Sequence, residues 1–287
     1  MFTAAESYRR GVVCGYSPGL SINYRCGTQM SDPWLTIVTP VRDDHQGLNR
    51  SLESIREQDR EGVEVLVIDS SIDHGSVQAA CKNLARVVGM EPEGVYPAMN
   101  MGLQSAGGKY LHFLTAGDVF HDSSVLARIR EICRAEPVWM FGPVDIIDEA
   151  GKHTTTPPWN YGHEKARMFA RGHFPQHQGT VVRRDVLLQV DGFPSNYRIA
   201  ADHAAFLRLS QLADPVLLDF VVADFHTGGL SSVAWRESIS EFHRARLEVL
   251  RPRGTARIVE MWDYTTHLAR VGVYREVLEP LRRRARR

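Results

Sequence analysis

Hydrophobic and polar residues along this chain fall into two alternating kinds of block. Leu35-Thr36-Ile37-Val38-Thr39 is a β-branched run that stops at Pro40, and it predicts a buried strand. Leu48, Leu52 and Ile55 then recur at helical spacing. Val63 to Ile68 predicts a second strand ending at Asp69, and Ser76 to about Leu84 a second helix. Ala85 to Gly89 reads as a short third strand. Tyr96 to Ser105 reads as a helix closed by Gly107-Gly108, and Tyr110 to Leu114 as a fourth strand. Asp122 is placed to cap a helix running to about Arg134.

Strands alternating with helices imply βαβ units and a mostly parallel sheet, so the fold class is α/β. In such sheets ligands sit at the carboxyl ends of the strands. Those ends carry Pro40-Val41-Arg42-Asp43, Asp69-Ser70-Ser71 and Ala116-Gly117-Asp118, so polar and acidic residues gather on one rim. The second half is less regular. Val138 to Ile147 reads as strand, Thr154 to Tyr161 as a loop, Val181-Val182 as a short strand, and Asp202 to Leu212 as a helix. Val216 to Ala223 is apolar enough for a strand, and beyond Ser232 the chain reads as helical, broken near Pro252 and Gly254. The expected organisation is an irregular extension over 1–32, an α/β domain over 33–232, and a helical C-terminal extension over 233–287.

The 287 residues are 43% hydrophobic and 24% charged, ordinary for a globular chain that needs no disulfide or metal staple. Basic and acidic residues number 34 each, and this neutral sum argues against a dedicated nucleic-acid binder. Only Lys82, Lys109, Lys152 and Lys165 are lysines, so nearly all positive charge is arginine. Cys14, Cys26, Cys81 and Cys133 form no CxxC pair, which fits reduced thiols. No run approaches the ~20 apolar residues of a membrane span. No apolar signal segment opens the sequence, and the expected location is cytoplasmic.

Five segments stand in order. They are LTIVTPVRDD (35–44), VEVLVIDSSIDHGS (63–76), GVYPAMNMGLQSAGGKYLHFLTAGD (94–118), HQGTVVRRDVL (177–187) and GFPSNYRIAADHAAFLRL (192–209). Together they resemble family 2 glycosyltransferases, in a form similar to bacterial transferases of the colanic-acid and exopolysaccharide type. The resemblance implies a GT-A fold, a Rossmann-like nucleotide-sugar-binding architecture with a mostly parallel central sheet. It also implies sugar transfer from a nucleotide-sugar with inversion. The donor would be a UDP-, GDP- or dTDP-sugar, and the acceptor a saccharide, a glycolipid or a small molecule.

The same resemblance assigns roles. Thr39, Pro40 and Arg42 would wall the base, and Asp69 would bind the nucleotide. Asp118 would hold a divalent metal, Mn²⁺ or Mg²⁺, against the diphosphate. Gly117 stands where many members carry a first acidic residue. Asp202 matches the catalytic base, which accepts the acceptor hydroxyl's proton. Tyr96 and Asn100, spaced i, i+4, share a helix face toward the donor. Pro97, Met101 and Glu93 depart from the family pattern there. His177 and Gln178 would line the cleft between donor and acceptor. His226, before Thr227-Gly228-Gly229, would reach the metal or diphosphate. His173 and His177 have i, i+4 spacing, but the intervening Pro175 and the lack of a third ligand argue against zinc.

Ile258, Met261, Trp262, Leu268, Val271, Val277 and Leu281 suit an amphipathic helix, followed by Arg282-Arg283-Arg284-Ala285-Arg286-Arg287. Such a basic end suits peripheral contact with anionic lipid, or packing on the catalytic domain. A homo-oligomer is compatible with the sequence. A second reading is a nucleotide-binding but catalytically silent relative, acting as a partner or scaffold. A dehydrogenase or methyltransferase is disfavoured, because no G-x-G-x-x-G follows the first strand.

Overall fold

Every residue of Leu35–Val41 (β1) is buried, as a strand flanked on both sides and covered on both faces must be. The computed structural model describes residues 32–148, 151–156, 174–226 and 234–278. After β1 come α1 (His45–Arg56), β2 (Val63–Asp69), α2 (His74–Cys81), β3 (Arg86–Gly89), α3 (Val95–Ser105) and β4 (Tyr110–Phe113). β5 (Val119–Phe120), α4 (Val125–Cys133), β6 (Trp139–Phe141), β7 (Val144–Ile147) and β8 (His153–Thr155) follow. Then come β9 (Thr180–Arg183), α5 (Arg184–Gln189), α6 (Ala201–Leu212), β10 (Val216–Leu217), β11 (Ala223–His226), α7 (Trp235–Leu250) and α8 (Thr255–Val273).

The main sheet has the strand order β10-β6-β9-β4-β1-β2-β3. Its pairs are parallel except those of β9, which runs antiparallel to β4 and to β6. A smaller sheet has the order β5-β11-β7-β8. Side chains alternate across each strand and so feed two cores. Ile37, Val65 and Val67 meet Leu48, Leu52 and Ile55 of α1 and Leu126 and Ile129 of α4. Val38, Leu66 and Ile68 meet Met99 and Leu103 of α3, Leu187 of α5 and Phe206 of α6.

Four sequence expectations change. The strand expected over 138–147 breaks at Gly142-Pro143, so β6 joins the main sheet and β7 the small one. The break lies where Gly142 meets Gly179: a Cβ on Gly179 would come within 2.5 Å of the Gly142 carbonyl oxygen. The strand expected over 216–223 also divides, into β10 and the start of β11. Part of the expected 154–161 loop is strand β8. Asp122 does not cap α4; Ser124 holds that position, and Asp122 accepts the Ser124 N–H in a turn just before it.

The C-terminal helices follow the expected break, with Arg251 in the left-handed region at the end of α7. The expected apolar stripe of α8 divides. Leu268 and Val271 are half-buried, while Ile258, Met261 and Trp262 are exposed. The one buried residue of α8 is Glu260, gripped by Arg246 of α7 through Nε at 2.7 Å and Nη2 at 2.5 Å. A buried ion pair therefore docks α8, and its apolar residues are left facing outward. Among the described residues no helix is long and apolar enough to cross a membrane. Cys81 and Cys133 are free thiols, and burial pushes them up to about 11 and about 12. Residues 1–31 with Cys14 and Cys26, His173, the 227–232 segment and the 281–287 tail lie outside the described residues.

Candidate active site

β1, β2 and β4 are parallel and end on the same rim. A cavity of about 310 Å³ opens there. Pro40, Val95, Ala98 and Ala116 give it apolar walls, and Arg42 and Asp44 give it charge. Pro40 costs the ladder little: its carbonyl accepts the Ala116 N–H beyond the end of β4, so its missing donor faces a turn. A flat apolar slot edged by a guanidinium and a carboxylate suits a heterocyclic base. Thr39 lies one residue back, fully buried, with no hydrogen-bond partner for Oγ1, and is not among the cavity's lining residues.

Asp69 closes β2 with its carboxylate buried. One oxygen accepts the Ser71 N–H at 2.9 Å, and the other pairs with His74 Nδ1 at 2.6 Å. That hydrogen bond raises His74 above the ordinary imidazole value. His74 is exposed, so an imidazole held by Asp69 stands at the edge of the rim. Sequence reasoning missed it, although the Asp-x-x-x-x-His spacing across the turn was visible.

The turn after β4 presents Asp118, which is 8% exposed. Ser51 of α1 fixes the turn from below, accepting from Gly117 N at 3.0 Å and donating to the Asp118 carbonyl at 2.6 Å. Gln178 Nε2 donates to Asp118 Oδ2 at 3.2 Å. Burial pushes this carboxyl up to about 6; the nearby His177 and the Gln178 hydrogen bond oppose the shift. Gly117 has φ of 100°, a conformation that side-chain-bearing residues rarely adopt. The missing first acid thus reflects the backbone as well as the side chain. A Cβ there would lie 3.6 Å from Asp44 Oδ2 and 3.7 Å from Arg50 Nη2. Arg50, which sequence reasoning did not select, therefore brings a guanidinium to the Gly117–Asp118 turn.

Asp202 lies in the first turn of α6 and is 6% exposed. Ala200, not Asp202, occupies the capping position. Oδ1 accepts the His203 N–H at 2.8 Å and faces the Tyr96 hydroxyl at 3.0 Å. Burial, and then the Asp202 charge, hold Tyr96 well above its ordinary value, so its hydroxyl stays protonated. The Ile199 carbonyl also lies within hydrogen-bond reach of this hydroxyl, so its one proton is shared between the two oxygens. Oδ2 lies 3.4 Å from His177 Nδ1, and His177 Nε2 lies 3.3 Å from Thr115 Oγ1. A carboxylate only accepts, so Nδ1 carries the proton and Nε2 is free to accept from Thr115.

Glu241 of α7 is the second group that sequence reasoning missed. Its carboxylate takes three consecutive backbone N–H groups: Arg198 at 3.0 Å, Ile199 at 2.8 Å and Ala200 at 2.9 Å. It thereby fixes the segment that leads into Asp202. The available signal was an acid beside Phe242 and Ala245 on the apolar stripe of a helix.

Asn100 turns elsewhere. Its amide donates to the Phe193 carbonyl at 2.7 Å and accepts the Phe193 N–H at 2.9 Å, clamping the turn before α6. The i, i+4 spacing thus aims Tyr96 and Asn100 at one segment, 193–202. His226 is exposed at the end of β11. The antiparallel pairing of Ala223 with Phe120 and Asp224 with Val119 heads it toward the Gly117–Asp118 turn. Among the described residues no group of three or more His, Cys, Asp or Glu is placed to hold a metal ion. The donor set fits a cation bound through Asp118, whose buried charge lacks an ion pair among described residues, and completed by substrate oxygens.

The sequence profile described as Glycosyl transferase family 2 matches residues 36–190, more than half of the chain. An uncharacterised glycosyltransferase of Mycobacterium tuberculosis is 29% identical over 210 residues, covering 70% of this chain and 78% of its own. A PGL/p-HBAD biosynthesis glycosyltransferase of Mycobacterium bovis is 25% identical over 215 residues, or 71% of this chain and 81% of its own. Residues 1–349 of TarS from S. aureus, solved with UDP-GlcNAc, superimpose with a TM-score of 0.60 at 16% identity, over 75% of this chain and 67% of that one. This chain spans 40% of a longer TarS structure. The mannosyltransferase PcManGT of Pyrobaculum calidifontis, solved with GDP-Man and Mn²⁺, gives 0.59 at 18% identity, over 86% of this chain and 76% of that one. With the sheet order and the rim described above, these matches establish that the chain has the GT-A fold and belongs to glycosyltransferase family 2.

Proposed function

We propose that this glycosyltransferase moves a sugar from a UDP-, GDP- or dTDP-sugar to a hydroxyl of a saccharide, glycolipid or small-molecule acceptor, with inversion. One observation carries the reading: two adjacent residues each touch one of two buried carboxylates. His177 faces Asp202, and Gln178 donates to Asp118. On this reading the sugar would lie between these carboxylates, with diphosphate on the Asp118 side and acceptor on the Asp202 side.

Asp202 accepts the proton of the acceptor hydroxyl as its oxygen bonds to the anomeric carbon. The bond from that carbon to the diphosphate breaks on the opposite face. Tyr96 and His177 orient the carboxylate, and Glu241 fixes the backbone beneath it. Pro40 and Arg42 receive the base, the Asp69–His74 pair stands at the nucleotide's edge, and Arg50 offsets diphosphate charge. Asp118, with His226, would hold Mn²⁺ or Mg²⁺, which supplies neutralisation of the departing diphosphate.

The test is a nucleotide-sugar panel with and without Mn²⁺, on wild type and Asp202→Asn. Transfer should vanish in the variant while nucleoside diphosphate binding persists. Full transfer by Asp202→Asn removes the base assignment. Nucleotide binding with no turnover on any acceptor favours the silent-partner reading instead.

A further inference from the structure

The helix α8 is docked inside out. Glu260 is its buried residue, while Ile258 is 70% exposed, Trp262 68% and Val273 55%. Ile258, Trp262, Ala269 and Val273 fall within about 60° of arc on a 3.6-residue helix and extend about 22 Å along it. An open groove of about 840 Å³ runs beside this stripe, lined by Trp262, Ala269, Val271, Val273 and Leu278 among others. Apolar residues so arranged on the outside of a helix mark a contact surface.

Charge selects the partner. Ten arginines and four acidic residues follow Leu250, a net +6 in a chain whose total is zero. Arg257 and Arg270 are exposed on α8 and form no ion pair with described residues. Of the acids on the described part of this segment, Glu260 is held by Arg246, Glu276 by Arg236, and Asp263 is half-buried. A second copy brought face to face would set an excess of arginines against arginines. An apolar stripe with a central tryptophan and basic flanks matches an anionic bilayer, where the ring sits at headgroup level.

We propose that the outward face of α8, built on Ile258, Trp262 and Val273 and flanked by Arg257 and Arg270, docks on an anionic lipid surface. This stands on exposure and charge, apart from the sugar-transfer reading. The docked helix is tied to the site: Glu260 holds Arg246 of α7, and Glu241 of the same helix holds the backbone before Asp202.

The whole chain is sedimented with vesicles of phosphatidylcholine alone and with about 30 mol% phosphatidylglycerol, at rising salt. Binding should need the anionic lipid and weaken with salt. It should fall at least tenfold in Ile258→Ser/Trp262→Ser, whose melting temperature and light-scattering mass should match wild type. Three results overturn the proposal. One is no sedimentation with anionic vesicles, and another is undiminished sedimentation of the double variant. The third is a wild-type dimer that the double variant disperses, which would make a second copy the occupant.

Discussion

His177 Nδ1 lies 3.4 Å from Asp202 Oδ2, and the ring's other nitrogen lies 3.3 Å from Thr115 Oγ1. The imidazole thus links the carboxylate at the start of α6 to the turn that carries Asp118. Asp202→Asn should lower kcat by about 10³-fold or more, the loss expected of a general base. His177→Ala should lower kcat by roughly ten- to a hundredfold and change donor KM little, because it orients the base and leaves the nucleotide slot intact. Steady-state kinetics on both variants checks this. A His177→Ala effect confined to donor KM would place the ring on the nucleotide side.

Glu241→Gln leaves one carbonyl oxygen where a carboxylate served three N–H donors. A lost charge-assisted acceptor for buried donors costs about 1–3 kcal/mol. Urea midpoints should fall accordingly. Amide exchange at Ile199 and Ala200 should accelerate more than elsewhere, and kcat should drop with the loosened base. Unchanged exchange at those two amides would contradict the positioning role.

Gly117→Asp would complete the acidic pair that the family pattern suggests. Its φ of 100° makes the substitution strained. We expect a loss of about 1–3 kcal/mol in stability and no gain in Mn²⁺-dependent nucleotide binding. Thermal melts and titration calorimetry decide the matter; tighter metal-dependent binding would show that the turn relaxes.

Stability should fall with acid through two buried histidines. Burial pushes His112 down to about 4, helped by the nearby His177 and opposed by the hydrogen bond of its Nδ1 to the Thr180 carbonyl. Burial pushes His203 down to about 3; Asp202 opposes this and Arg246 adds to it. Unfolded, each binds a proton below about 6.5. Their contribution is therefore complete above that pH and is lost as pH falls toward the folded values. His112 alone accounts for about 3 kcal/mol over that window. Urea midpoints between pH 7.5 and pH 5 should show the slope, and His112→Gln should flatten it.

Much of the fold was legible because β1, β2 and β4 are continuous apolar runs that end at acids or proline. The breaks were not. Gly142-Pro143 is a breaker dipeptide inside an apolar run, and hydropathy alone passes over it; Gly142 meets Gly179 at the point where the strand divides. The same holds at the site. The rim positions Pro40, Asp69 and Asp118 were visible as strand ends. His74 was passed over at the start of α2, beyond the turn that follows Asp69, and Arg50 and Glu241 because their sites are built by segments 41 or more residues away. The outward turn of Ile258 and Trp262 was hidden for a related reason. A hydropathy pattern identifies an apolar stripe, but the Arg246–Glu260 pair decides which way it faces.

β9 runs against β4, pairing Leu111 with Val182 and His112 with Val181. Its beginning, rather than its end, therefore joins the parallel strands' rim. The residues that would grip the nucleotide come from before Asp118, with His226 the exception, and those that steady Asp202 come mainly from after His177. These two stretches of sequence meet along one short seam. On the proposed reading, a change confined to the part beyond the seam would alter the molecule that receives the sugar and leave the donor-binding rim in place. An engineer wishing to graft a new acceptor preference would cut the gene between β4 and β9.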